Sequence, residues 1–367
     1  MLQTVPTRDN PNHYDMKTIS VANFGKFLIL ALWALSPFGS FAQEEEPKPT
    51  FRFGGSVDAY YRANLTAPND EDAIAPGSSF AQLPGFSLGM ANLIASYEGE
   101  KVGFVADLVF GPRGSDALFA SPMYSATGNI VNQLYVYWNV SKDVTLTFGN
   151  FNTFLGYEVI APGANFNYST SYLFSYGPFS HTGLRADFDL GSEWSAMLAV
   201  MNPSDRTEFN PGGEYAVGAQ VGYSAQFLNF LYNQGGFEID YTGGLDLTED
   251  FFLGINAAHF SAEDDGGSFT GAALYPQYSV SGSFKLGLRG EYFMTSDFFG
   301  DASGIGSGMD GDGSVLALTL TGSATIGDLT LKPEIRLDSS AEEAFIDNDL
   351  APTKSLASVL FAAIYSF

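Results

Sequence analysis

The sequence predicts an all-β chain, a transmembrane antiparallel up-and-down barrel of about sixteen strands. Three observations carry that prediction. Apolar and polar residues alternate with period two from residue 51 onward, the signature of strands with two unlike faces. The links between alternating segments are short and long in turn, as tight periplasmic turns and longer outside loops require. The last segment is apolar at every second position and closes on Phe367.

Composition agrees with this class and removes others. The 367 residues carry 41 Asp and Glu against 16 Lys and Arg, a formal charge of −25. That balance excludes nucleic acid as a partner, because neutralising phosphates needs a basic surplus. There is no Cys, which removes thiol catalysis, disulfides and Cys-based zinc sites together. Three histidines, His13, His181 and His259, leave little for a His-based metal site. No phosphate-cradling glycine–lysine loop is present, so neither a metal nor a cofactor is expected. With 45% apolar and 15% aromatic residues, the chain is no disordered acidic polymer.

Residues 1–42 have the form of a Sec signal peptide. Lys17 and Lys26 precede the apolar run Phe27–Leu35, and Ser40-Phe41-Ala42 supplies a small-residue cleavage site. Met16 is an alternative start. A membrane anchor is the competing reading, but this run falls far short of the ~20 residues of a spanning helix. Gln43–Thr50 then forms a short periplasmic leader, and residues 51–367 form the barrel. Removing 42 residues leaves 325. The removed piece holds three basic and two acidic residues, so the exported chain carries −26.

The strands follow in order. In Leu329–Asp338, Leu329, Leu331, Pro333, Ile335 and Leu337 alternate with Thr330, Lys332, Glu334, Arg336 and Asp338. Phe51–Leu65, Val102–Phe110, Thr182–Leu190, Phe237–Leu247 and Leu286–Tyr292 repeat the pattern. Such strands also suit a soluble sandwich, and the links decide. Short ones fall at Gly99–Lys101, Ser141–Asp143, Gly191–Glu193, Ser224–Gln226, Thr248–Asp250, Ser281–Ser283 and Gly327–Asp328. Long ones fall between, at Thr66–Gly85, Gly111–Ile130, Asn152–Ser180, Asn202–Tyr215, Ser261–Gly271, Thr295–Gly313 and Ser339–Lys354. Asn233–Gly236 is short where a long link is due. A sandwich has no reason to sort its links by length to opposite ends. An even strand count puts both termini on the periplasmic side. Pro276 and Pro333 predict a bulge or a broken pairing, since proline deletes a ladder hydrogen bond. Phe86–Tyr97 and Phe227–Asn233 alternate poorly and leave their registers open. Phe361, Tyr365 and Phe367 share the outward face of the last strand and resemble the assembly signal of outer-membrane barrels.

The longest link, Asn152–Ser180, is exceptional. Loops beyond ~12–15 residues are usually functional or disordered. Phe154, Tyr157, Phe166, Tyr168, Tyr172, Phe174, Tyr176 and Phe179, with few charges beside Glu158, argue against disorder. The reading is a loop folded into the lumen as a constriction, presenting Phe154, Tyr157, Glu158, Asn165, Asn167, Tyr168, Tyr172 and Phe174. The alternative is a lid over the rim or a partner surface.

The segment Gly149–Arg185 also resembles a known family. Gly149, Phe151, Thr153, Gly156 and Glu158, then Asn165, Asn167, Tyr168 and Ser169, then Pro178, Phe179, His181, Thr182, Gly183 and Arg185 match three motifs of the OmpL-like β-barrel porin family. Asp58-Ala59-Tyr60-Tyr61 with Asn64 is similar to that family's first strand. The resemblance implies a pore in the outer membrane.

Catalytic chemistry has little support. His181 beside Ser180 and Thr182 suggests a nucleophile and base, but a triad needs geometry that adjacent residues rarely give. A hydrogen-bonding role at the foot of the loop fits better. The acidic clusters Asp70–Asp72, Glu263–Asp265 and Asp310–Gly313 lack the EF-hand register and its closing Glu. They suit solvated outer loops, with divalent bridging to lipopolysaccharide as the functional alternative.

The function expected is therefore not enzymatic: a porin for passive diffusion of small hydrophilic solutes. Charged lumen residues set its selectivity. Inward parity gives Arg52, Arg62, Arg185, Lys285, Arg289, Lys332 and Arg336, with Asp58, Asp107, Asp187, Asp189, Glu238, Asp240, Asp246, Glu291, Glu334 and Asp338. That is ten acids against seven bases, and the outer loops are acidic too, which predicts weak cation preference. Internal salt bridges bracing the wall are the alternative role for these residues. Expected partners are outer-membrane lipid and lipopolysaccharide, the barrel-assembly machinery, small polar solutes and, as the class allows, further copies in a homo-oligomer. The other reading is a non-conducting barrel that anchors a complex or binds surface partners, and a barrel enzyme with its site on the rim is a weaker third.

Overall fold

Alternating segments cannot bury an apolar face alone, so they pair edge to edge until no edge remains. The computed structural model describes residues 49–73, 75–118, 130–208, 210, 212–233, 235–263, 266–297 and 312–367. The proposed signal peptide and most of the leader lie outside these residues, as do parts of two acidic clusters. The strands are β1 (Thr50–Asn64), β2 (Gly85–Glu98), β3 (Val102–Phe110), β4 (Val131–Asn139), β5 (Val144–Asn152), β6 (Ser180–Gly191), β7 (Trp194–Met201) and β8 (Ala216–Tyr223). There follow β9 (Gln226–Asn233), β10 (Gly236–Asp246), β11 (Phe251–Ala262), β12 (Ser268–Ser281), β13 (Phe284–Ser296), β14 (Gly313–Ile326) and β15 (Leu329–Ser340). A small hairpin of β16 (Phe345–Ile346) and β17 (Pro352–Thr353) precedes the last wall strand, β18 (Ser355–Ser366). Each wall strand pairs antiparallel with its neighbours in the chain, and β18 closes on β1, giving a sixteen-strand barrel. Closure is completed by Gly55 N–H to Phe367 O (3.1 Å) and Phe367 N–H to Gly55 O (3.0 Å).

The two faces are inverted relative to a soluble protein. Leu318, Leu320, Ile335 and Leu337 point outward and are 38–56% exposed, while Asp107, Asp240, Arg289 and Asp338 point inward and are at most 3% exposed. A continuous outward apolar band of this kind is what lipid covers. No helix among the described residues is long enough and apolar enough to cross a membrane. The only helices described are α1 (Pro112–Ala117) and α2 (Tyr172–Tyr176), both in outer connections.

Both prolines break pairing without shifting register. The β12–β13 ladder runs Leu274↔Gly290, then resumes at Gln277↔Gly287, skipping Pro276. The β14–β15 ladder runs Thr321↔Glu334, then Ala324↔Leu331, skipping Pro333. On the other side each proline stays paired, with Leu253 and Phe361 respectively. The strands that alternate poorly have separate causes. In β2 the register against β1 shifts between Val57 and Ala59, so Gly89 and Met90 are both buried and the parity flips there. In β9 Phe227 and Leu231 face inward beside Asn229, while Leu228 and Tyr232 face outward; apolar residues stand on both faces.

Candidate functional site

The connection from β5 to β6, residues 153–179, runs into the lumen and crosses it. Its two feet are tied together by Thr153 N–H to Phe179 O (3.0 Å) and by Thr153 Oγ1 with His181 Nε2 (3.0 Å). His181 is fully buried against the rings of Phe154 and Phe151. From the next outer connection, Asp205 accepts from the N–H groups of Phe179 and Ser180 (2.8 Å each). Burial pushes the Asp205 carboxyl up to about 6.

The first turn is apolar: Phe154 and Leu155 sit on Met197, Met201, Ala216 and Leu231. This contact explains why the inward face of β7–β9 departs from polar-in patterning. Gly156 then turns with φ +74°, and its N–H reaches Asp240 (2.9 Å). Tyr157 stacks on Tyr275 at 4.3 Å. The wall makes room at Gly254, where a Cβ would stand 2.4 Å from the Tyr157 hydroxyl.

Beyond that point the loop has almost no internal secondary structure, so its buried backbone groups need partners from elsewhere. The wall's charged side chains supply them. Glu334 accepts from Tyr168 N–H (2.5 Å) and Ser169 N–H (3.1 Å). Glu291 accepts from Tyr172 N–H (3.0 Å) and Leu173 N–H (2.8 Å) at the start of α2. The cations meet carbonyls: Lys332 donates to Pro162 O (2.9 Å) and Asn165 O, Arg289 to Ser169 O (2.5 Å), Arg336 to Thr170 O (2.9 Å). Arg289 also pairs with Glu158 (2.7 Å), both side chains being at most 2% exposed. Glu158 in turn accepts from Ser171 N–H (2.8 Å) and Oγ (2.5 Å). Arg336 pairs with Asp338 (2.7 Å), which also accepts from Tyr172 Oη (3.1 Å). Tyr168 Oη donates to Asp58, and Asn167 to Thr321 (2.6 Å). Asn165 closes the loop on itself through Val159 N–H (2.9 Å) and O (2.6 Å). Phe174 packs between Phe80 and Phe179.

The remaining inward charges fall elsewhere. Asp107 is buried on β3 with Asn92, Asn132 and Gln133 donating to it. Asp240 is engaged by Asn229 and Asn256 as well as Gly156. Glu238 is buried near Gly177. Arg62 is buried beside the loop. Arg185 and Asp187 form a 2.9 Å pair that stays 29% and 34% exposed, with Arg185 lying over Phe151. Arg52 does not join the lumen: it stands exposed at the periplasmic rim, paired with Glu98 (3.0 Å). There β1 extends beyond its pairing with β18, which begins at Ser56.

Sequence reasoning missed Arg113 and Phe80, which come from the two preceding outer connections. Arg113, 3% exposed, donates to Ile160 O (2.8 Å) and Tyr168 O (3.1 Å), and its guanidinium lies 4.5 Å from the Phe80 ring. Its signal was its sign: it is one of few basic residues in strongly acidic outer loops.

Among solved structures, the chain is similar in fold to the outer membrane channel DcaP of Acinetobacter baumannii, with TM-score 0.56 and 13% identity over 91% of this chain and 100% of that one. It is also similar to an anion-selective porin from Comamonas acidovorans, with TM-score 0.57 and 10% identity over 87% and 100%. OprB of Pseudomonas putida gives TM-score 0.58 and 11% identity over 86% and 94%. At these identities the likeness is one of fold alone. No curated protein matches the chain. The family model described as "Putative beta-barrel porin-2, OmpL-like" matches residues 50–367, so the chain belongs to that family and is a porin of the outer membrane.

Proposed function

We propose that small hydrophilic solutes diffuse past the 153–179 loop, which acts as the constriction of the pore. The observation that carries this reading is the asymmetry of the lumen charges. Those on β13, β15 and part of β1 are buried against the loop, whereas the Arg185–Asp187 pair opposite keeps about a third of its surface. Water and solute follow the exposed side. Exposed carboxylates in the outer connections, such as Asp70, Glu71, Asp72, Glu214, Glu342 and Glu343, surround the entrance and favour cations there. Opposed charges such as Arg185 and Asp187 orient a polar solute and keep charge selectivity modest. Export by residues 1–42, insertion by the barrel-assembly machinery, contact of the acidic loops with lipopolysaccharide through divalent cations, and homo-oligomer formation belong to the same reading. Planar-bilayer recording of the refolded chain tests it. Discrete conductance steps are expected, and a folded barrel without steps would instead be an anchoring or surface-binding protein.

A further inference from the structure

Arg185 and Asp187 are lumen charges that the loop leaves to water. They stand two residues apart on the inward face of β6, joined by one bond from Arg185 Nε to Asp187 Oδ2 (2.9 Å). Among the described residues nothing else hydrogen-bonds either side chain. The Nη edge of the guanidinium and the second carboxylate oxygen therefore face water, the side chains being 29% and 34% exposed. An ion pair this exposed contributes little to stability, so bracing the wall is a weak reason for it.

The surroundings leave the dipole of the pair uncancelled. Across the ladder Arg185 meets Thr147 and Ala199, and Asp187 meets Thr145 and Met197, all uncharged. The next inward charge on the strand, Asp189, is taken up by the N–H of Gly191 (2.6 Å). The guanidinium lies 5.1 Å over the Phe151 ring. Tyr135 of β4 packs against the same apolar cluster and is within electrostatic reach of both charges. A lone anion on Arg185 meets the repulsion of Asp187, and a lone cation on Asp187 meets that of Arg185. A solute carrying both charges side by side satisfies both, and the planar fork of Arg185 takes a carboxylate side-on.

We propose that Arg185 and Asp187 form a lumen subsite for zwitterionic solutes with an ammonium beside a carboxylate, as in α-amino acids. The solute carboxylate lies on the Nη edge of Arg185 and its ammonium on Asp187 Oδ1. Because β6 runs from the outer loop to a periplasmic turn, the ammonium end points to the periplasm. The inference rests on the pore reading for the passage of that solute, but binding is measured apart from passage. Saturation-transfer NMR on the full chain in detergent uses three probes: serine, acetate and the neutral polyol erythritol. Transfer to serine several-fold above that to either other probe is expected. Arg185→Gln should lose the serine signal, and Asp187→Asn should bring acetate above serine. Equal signals from serine and erythritol overturn the subsite. So does acetate above serine in the intact chain, which marks a plain anion site, or a serine signal that Arg185→Gln keeps. If a variant does not fold, the order of the three probes on the intact chain decides. A chain that binds serine in this order but lets neither serine nor erythritol swell liposomes would strike the pore reading and keep the subsite. One that swells with both yet shows no serine signal does the reverse.

Discussion

Arg289 shows how much of this lumen depends on single side chains. One fully buried guanidinium holds Glu158, Ser169 O and Thr319 Oγ1, joining the loop to two wall strands. Removing one partner of a buried pair strands the other charge, at a cost of about 3–5 kcal/mol. Arg289→Gln should therefore lower the temperature at which the folded barrel converts to its unfolded band in gel-shift assays, and Glu158→Gln alone should do the same. Unchanged transitions in both would mean the pair contributes nothing net. Asp205 gives a pH prediction. Its carboxyl is raised, so the native state holds its proton in a window where the unfolded chain has released it. Its contribution to stability is fully present below the ordinary Asp range near 3.9 and is lost as pH rises through about 6. The loop foot should tighten on acidification across that window, read as slower hydrogen exchange at Phe179 and Ser180. Asp205→Asn, neutral at every pH, should abolish the change. Inward parity made Arg289 and Glu291 legible in the sequence. Their partners were not legible, because Arg289 meets Glu158 across 131 residues and no local pattern encodes that distance.

Strands were read where one face is apolar and the other polar, as in β1 and β15. They were read poorly where a packing demand erased that contrast. The bulge in β2 flips its parity, and β9 carries apolar residues inward to receive Phe154 and Leu155. β18 does the same for Tyr168 through Leu360, Ala362 and Ile364. The helices α1 and α2 and the β16–β17 hairpin left no trace in the alternation, since each is shorter than any period can resolve. The prolines were legible as trouble, and the ladder gaps show which side gave way. At the C-terminus, Phe367 exchanges two backbone hydrogen bonds with Gly55, and its ring lies 6.3 Å from that of Phe53. Deleting Phe367 removes the end of the closing seam. The amount of folded, heat-modifiable barrel recovered from outer membranes should fall, while Phe367→Tyr, which keeps the backbone bonds and the ring, should restore most of it. Equal yields from the deletion and the intact chain would show that closure does not need this residue.

The whole molecule sets ion preference. Most lumen charges are tied up against the loop, so the field at the mouth comes from the acidic outer connections. A vestibule of that sign concentrates cations within a Debye length of roughly 10 Å at 0.1 M salt. Reversal potentials across a salt gradient should show weak cation preference that shrinks as salt rises. Anion preference at low salt would instead mean that Arg62 and Arg185 face the permeating stream uncompensated. Above all, the molecule is a wide barrel narrowed by one of its own connections, and that arrangement has a direct measure. Single-channel conductance of the chain lacking Phe154–Phe174 should exceed that of the intact chain in the same salt. Equal conductance, in a deletion that still folds as a barrel, would contradict the assignment of the 153–179 loop as the constriction.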